Sequence, residues 1–255
     1  MASRILLAAC WALHYYRRVP VQLTNHGPTA NRLLAALPDK NLDHVLENCE
    51  TVELTFADVL CLPGDRIRHV YFPTDSFISL VAPVGGYASL EVAMVGTEGM
   101  FGIGLLLGVD IWPMHALVQG GGPALRMNAE RFRRELEDTP ALQRGLNRYL
   151  YVLICQLAQT AACTRFHAVE PRLARWLLMT GDRARSDEFY LTQEFLSHML
   201  GVRRVGVTNA AGSLQRRKLI SYSRGAIKIL DRAGLEAAAC GCYKADKQTY
   251  DRILN

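Results

Sequence analysis

The stretch Leu191-Thr192-Gln193-Glu194-Phe195-Leu196-Ser197-His198-Met199-Leu200-Gly201-Val202-Arg203-Arg204-Val205-Gly206-Val207 decides how this chain is read. Thr192 is placed to cap a helix, because its oxygen can accept from a backbone N–H that the first turn leaves unsatisfied. Glu194 falls in that first turn, where the helix dipole favours a negative charge. Phe195, Leu196, Met199 and Leu200 recur at helical spacing and supply a buried side. Gly201 offers the left-handed conformation that a tight turn needs. A second helix follows, with Val207, Ala210 and Leu214 on one face. Two short helices meeting at a glycine turn make a helix-turn-helix, whose second helix is built to enter the major groove of DNA.

Rotating by about 100° per residue from Arg204 separates the second helix into two faces. Val207, Ala210 and Leu214 cluster inward, while Val205, Thr208, Asn209, Gly212 and Arg216 turn outward. The outward face is polar with small residues between, which lets a helix approach base edges closely. Arg204 suits a bidentate contact with guanine, Thr208 and Asn209 come next, and Val205 can touch a thymine methyl. Arg203, Arg216 and Arg217 are expected on phosphates, with Thr192 and Gln193 at the first helix's N-terminus.

Charge distribution agrees with that reading. The net charge of the 255 residues is only +5. Gly201 to Leu230 nevertheless carries seven basic residues and no acidic one, leaving 22 basic against 24 acidic elsewhere. A polyanion should therefore meet the C-terminal part. Directly after the second helix, Leu219 to Leu230 reads as two alternating strands around Arg224-Gly225, a β-hairpin wing with Arg224 near its tip. Asp231 to about Lys244 reads as a short helix.

Upstream, the pattern is different. Short apolar or alternating runs between Cys49 and Met127 (51–54, 69–72, 77–80, 90–95 and 116–118) are punctuated by turn signals such as Pro63-Gly64-Asp65 and Gly120-Gly121-Gly122-Pro123. Such spacing predicts a compact antiparallel barrel or roll. Helical periodicity begins near Asn128. A long segment from Ala141 to Phe166 carries Leu142, Leu146, Tyr149, Leu150, Leu153, Leu157 and Ala161 in three- and four-residue steps. At ~39 Å it exceeds what a small roll requires for cover, so Leu146, Tyr149, Leu150, Leu153, Leu157 and Ala161 are read as a dimerisation stripe. Glu170-Pro171 restarts a helix with Leu173, Trp176, Leu177 and Leu178 on its apolar face, and 181–188 reads as a loop.

The order of β-roll, long helix and winged helix resembles the Crp/Fnr family of bacterial transcription regulators. The resemblance rests on L-T-Q-E-x-L-x-x-x-L-G-V-x-R-x-x-V at Leu191 to Val207, on Leu214 and Leu219-Ile220, and on Glu170-Pro171-Arg172-Leu173-Ala174-Arg175-Trp176-Leu177-Leu178. It covers residues 30–245. It implies an α+β protein with an N-terminal extension (1–29), a cyclic-nucleotide-binding-like, jelly-roll-like antiparallel β-roll sensor domain (30–140), a dimerisation helix (141–168), a winged helix-turn-helix DNA-binding domain (169–245) and a C-terminal tail (246–255). It also implies a cytoplasmic homodimer on a two-fold symmetric double-stranded DNA site with half-sites ~34 Å apart, contacting RNA polymerase. Arg204 matches the family's base-reading arginine. Val205 stands where a glutamate is usual, and Asn209 where a basic residue is often found, so the family's best-known target sequence is not expected.

The roll departs further from the family's cyclic-nucleotide binders, which hold phosphate and ribose with a Gly-Glu pair and a later arginine. Ile103 stands at the glutamate position, and no arginine lies between Arg68 and Arg126. A buried phosphate needs a fixed cation, so the expected effector is something other than cyclic AMP and stays unassigned, and Glu98 is read as structural.

Other functions find less support. Seven scattered cysteines read as reduced thiols, and Cys240-Gly-Cys242 is one residue too tight for a CxxC metal knuckle, so neither a metal site nor a cofactor is expected. No N-terminal cysteine cluster suits an iron–sulfur centre. A cupin-like metal enzyme needs neighbouring histidines, whereas His14, His26, His44, His69, His115, His167 and His198 lie far apart. No P-loop, Rossmann fingerprint or nucleophile elbow is present, so the chain is not read as an enzyme. A β-roll sensor or adaptor that does not bind DNA conflicts with the all-basic stretch. Leu7-Ala8-Ala9-Cys10 looks like a lipoprotein cleavage box, but only Arg4 precedes it and its apolar run is short. No apolar run approaches the ~20 residues needed to span a membrane.

Overall fold

A computed structural model describes residues 30–85 and 89–254, so the expected N-terminal extension lies outside the described residues. The described residues divide into two units, one of 30–80 and 94–150, the other of 81–85, 89–93 and 151–254.

The first unit opens with α1 (Arg32–Ala35), capped by the Asn31 side chain, and α2 (Asp39–Glu47). Strands β1 (Glu50–Leu54), β2 (Val59–Cys61), β3 (His69–Pro73), β4 (Phe77–Pro83), β5 (Ser89–Val95), β6 (His115–Gly120) and β7 (Gly122–Asn128) follow along the chain, the end of β4 and most of β5 falling in the second unit. They form two sheets, ordered β1-β7-β3 and β2-β6-β4-β5. The β1–β7 and β3–β7 pairs are antiparallel, with Val52 opposite Ala124 and Phe72 opposite Leu125. Val70 to Pro73 are buried without alternation, the pattern of a strand covered on both faces. Phe72, Ile78, Leu80, Met94, Met100, Phe101, Met127 and Phe132 fill the core.

Five strands match the expected runs; β2 and β7 were not anticipated. β7 begins at Gly122-Pro123, residues that ordinarily signal a loop. Gly122 has φ +141 and a Cβ there would meet the Asp75 carbonyl oxygen at 2.5 Å, so the glycine permits a close backbone approach at the strand's start. Asn128 caps α3 (Ala129–Asp138) through a 2.8 Å bond from Glu130 N–H, and α4 (Pro140–Phe166) is a single helix of 27 residues.

In the second unit, α5 (Val169–Ala184) is the centre. Residues 172–181 are all buried, because α6 (Gln193–Leu200), α7 (Arg204–Arg216), α8 (Arg232–Ala238) and α9 (Cys242–Leu254) all pack on it. The helix extends through Gly181 and ends at Arg185 in the left-handed region, correcting the expected loop over 181–188. Trp176 donates to the buried Glu91 carboxylate at 2.8 Å, satisfying both polar groups. Short strands β8 (Glu188–Tyr190), β9 (Ile220–Ser223) and β10 (Ala226–Ile229) form the third sheet, with β10 in the middle.

The C-terminal end differs from expectation. The single helix to Lys244 is instead α8 and α9, and the supposed tail over 246–255 continues α9 to Leu254. Its sequence is polar, but Tyr243, Asp246 and Tyr250 recur at three and four residues and are buried. Among the described residues, no helix is long and apolar enough to cross a membrane.

Candidate nucleic-acid interface

Thr192 caps α6, its oxygen accepting from Phe195 N–H at 3.1 Å. Leu196, Met199 and Leu200 are buried, and the Phe195 ring meets Trp176 edge-on with centroids 6.4 Å apart. Gly201 closes the helix at φ +62, ψ +40, with its own N–H on the His198 carbonyl and Val202 N–H on that of Ser197. Val202 and Arg203 then lead into α7. A Cβ on Gly201 would sit 3.2 Å from Leu90 Cδ1. Gly201→Ala is therefore expected to cost ~1–2 kcal/mol for the left-handed backbone alone, read as a lower urea midpoint; an unchanged midpoint would contradict this account of the turn.

Helix α7 divides as its periodicity predicts. Val207, Ala210 and Leu214 are buried. Arg203, Arg204, Val205, Thr208, Asn209, Arg216 and Arg217 are exposed, Val205 to 62%. Gln193 is half-buried, and its Oε1 accepts from the Thr208 hydroxyl at 2.7 Å. The same hydroxyl lies 3.1 Å from the Arg204 carbonyl. Gln193 and Thr208 are thus presented together, a link between α6 and α7 that periodicity alone could not disclose. Arg217 is tied to Glu170 at 2.8 Å and Lys228 to Glu188 at 2.6 Å.

The wing is a tight hairpin. Ser223 pairs with Ala226, and the loop residues Arg224 and Gly225 have φ +50 and +90. Positive φ at both positions is the type I′ turn, whose twist matches that of the strands. Arg224 is exposed at the tip. Tyr222 anchors the hairpin by donating to the Leu191 carbonyl at 2.7 Å. Burial pushes its phenol up to about 12, opposed by the nearby Arg204, so it stays a donor at neutral pH.

The dimerisation stripe needs correction. Leu146, Tyr149 and Leu153 are buried by their own chain, which leaves them no surface for a second copy. Leu150 and Leu157 are half-buried and Ala161 is exposed. The outward apolar line over 151–166 is Tyr151, Ile154, Ala158, Ala161, Ala162 and Phe166, with Tyr151 51%, Ile154 54% and Phe166 77% exposed. Both faces of α4 are apolar, so its sequence could not say which one meets its own chain.

In the roll, Ile103 is buried in a short 3-10 turn (Ile103–Leu107). Glu98 accepts from Gly96 N–H at 3.2 Å, a turn-bracing contact.

One grouping escapes the sequence reading altogether. Cys163, His167, Cys240 and Cys242 converge with their ligand-type atoms all within 4.8 Å of one another. The spacing around Cys240-Gly-Cys242 gives no hint of it. The available signal was Cys163-x-x-x-His167, two ligand types one helical turn apart. The Cys163 thiol is held below its ordinary range, first by its hydrogen bond with Cys240 and further by His167 and Arg175, against burial that raises it.

Residues 171–238 match the family model of the Crp-like helix-turn-helix domain. The fold is similar to that of the c-di-GMP-responsive global regulator CLP of Xanthomonas campestris, at TM-score 0.64 and 14% identity over 75% of this chain and 99% of that one. It is also similar to two Thermus thermophilus proteins. One is a CRP-family transcriptional regulator (TM-score 0.63, 18% identity, 74% of this chain and 96% of the other). The other is a CRP/FNR-family regulator (TM-score 0.62, 22% identity, 74% and 98%). Residues 171–238 thus form a helix-turn-helix domain of the Crp-like type. That helix-turn-helix is the DNA-binding element of the chain. No curated protein sequence matches it.

Proposed function

We propose that this chain is a Crp/Fnr-family regulator, a sequence-specific, cytoplasmic transcription factor that binds a two-fold symmetric DNA site as a homodimer and contacts RNA polymerase there. The observation that carries this reading is the outward face of α7, where Arg204, Val205, Thr208 and Asn209 are exposed side by side on a packed helix. Arg204 reads a guanine, Thr208 and Asn209 read neighbouring base edges, and Val205 meets a thymine methyl. Arg203, Arg216 and the wing-tip Arg224 hold phosphates, as do Thr192 and Gln193 at the start of α6. Arg217 contributes less, since phosphate contact competes with its bond to Glu170.

The second copy covers the line Tyr151, Ile154, Ala158, Ala161, Ala162 and Phe166, which has the three- and four-residue steps of a helix–helix seam. Ile154→Glu is expected to shift the protein from dimer to monomer by sedimentation at micromolar concentration, because it buries a charge in that seam. A variant that stays dimeric would move the interface elsewhere.

The signal sensed is other than cyclic AMP. The apolar Ile103 side chain is buried where the glutamate would stand, and the roll offers no lysine or arginine between residues 69 and 125 to meet a cyclic phosphate. Selection of binding sites from random DNA tests the whole reading. It should return an inverted repeat with half-site centres about one helical turn apart. A pool that never converges would refute it.

A further inference from the structure

We infer that Cys163, His167, Cys240 and Cys242 form a metal site for a single zinc-class divalent ion in tetrahedral Cys3His coordination. Cys163 and His167 stand one turn apart at the end of α4, where His167 N–H still bonds the Cys163 carbonyl at 3.1 Å. Their side chains therefore point the same way. Cys240 and Cys242 come from the α8–α9 junction, more than 70 residues later. Chain folding, not local sequence, brings the four together.

The spacing suits one small ion. Zinc–sulfur bonds of about 2.3 Å and zinc–nitrogen bonds of about 2.0 Å place tetrahedral ligand atoms roughly 3.5–3.8 Å apart. The Cys163 and Cys240 sulfurs are 3.5 Å apart, and Cys242 Sγ is 3.5 Å from His167 Nδ1. All three thiols are buried, whereas His167 is exposed and offers the ion a way in. Three soft sulfurs and an imidazole select zinc over magnesium or calcium, which take oxygen ligands. On binding, the thiols lose their protons to solvent, leaving three thiolates and a neutral imidazole around the dication.

The surroundings are also built for anionic sulfur. Gln159, one turn before Cys163, donates from Nε2 to Cys242 Sγ at 2.9 Å, a contact that strengthens once the sulfur is charged. The resulting site has a formal charge of −1. The ion would tie the end of α4 to the last two helices, all within the second unit.

The test uses the full-length protein isolated under reducing conditions without added metal. Elemental analysis should find about one zinc per chain. Replacement by cobalt should give the visible d–d bands of a tetrahedral site together with thiolate charge-transfer absorption. His167→Ala, which alters an exposed side chain, and Cys242→Ser should each weaken cobalt binding by about 100-fold or more. Gln159→Ala should weaken it by ~10- to 100-fold. Cys155→Ser, on the same helix but outside the group, should change nothing. Fully reduced protein that holds no zinc and gives no cobalt bands would overturn the assignment. So would a Cys163–Cys240 disulfide in place of the ion, or an iron–sulfur chromophore. These readouts need no DNA, so the metal site can fail while the DNA reading stands, and the reverse.

Discussion

Arg204→Ala should weaken binding to the selected DNA site by roughly 5- to 150-fold, a loss of ~1–3 kcal/mol, and relax preference at one base pair in each half-site. The expectation comes from the residue's place. It opens α7 on the outward face, one turn before Thr208, and its backbone is fixed by buried Val207, Ala210 and Leu214 behind it. A bidentate contact with guanine loses both hydrogen bonds at once when the guanidinium is removed. Arg224→Ala is the matched control. It changes a wing tip proposed to meet only phosphate, so all sequences should lose affinity alike and the slope of log affinity against log salt should fall by about one. Equal loss on random DNA for Arg204→Ala would demote it to a phosphate contact. An unchanged salt slope for Arg224→Ala would remove the wing from the interface.

Asp246→Ala should destabilise the fold by about 3–5 kcal/mol, a larger loss than Gly201→Ala should cause at the turn. Asp246 and Arg175 meet at 2.7 Å with each side chain only 8% exposed, and Thr160 Oγ1 also accepts from Arg175 at 3.2 Å. Deleting the carboxylate strands a guanidinium in the interior with one hydroxyl for company. The cost is a desolvation cost, so a double variant, Arg175→Met with Asp246→Leu, should recover most of it. Urea unfolding of the single and double variants measures both. A single variant as stable as the parent, or a double variant no better than the single, would show that the pair is not desolvated as described.

What the sequence disclosed follows from the range of the forces involved. The helix-turn-helix was legible because its signals are local. A threonine cap, a glycine with positive φ and a 3.6-residue period all act within a few residues, and each survives intact. The Arg224-Gly225 turn was legible for the same reason. Strand β7 was hidden because its glycine and proline usually end strands, and only the approach of the Asp75 backbone explains Gly122. Helix α9 was hidden by its polar composition, since burial of Asp246 makes sense only with Arg175 in place. The side of α4 left open for a second copy depends on which apolar face its own chain covers, a tertiary fact. The Cys163–His167–Cys240–Cys242 grouping is the extreme case, because ligand spacing rules read neighbours along the chain and these neighbours exist only in space.

If α7, held as a symmetric pair, reads base sequence from a DNA groove, the purified dimer must tell one DNA from another. The most direct test is its titration against the selected site and against random DNA over a range of salt concentrations. A preference of ~10³-fold or more for the selected site is predicted, with both affinities falling steeply as salt rises. Equal affinity for both DNAs at physiological ionic strength, with and without cell extract to supply an effector, would contradict it.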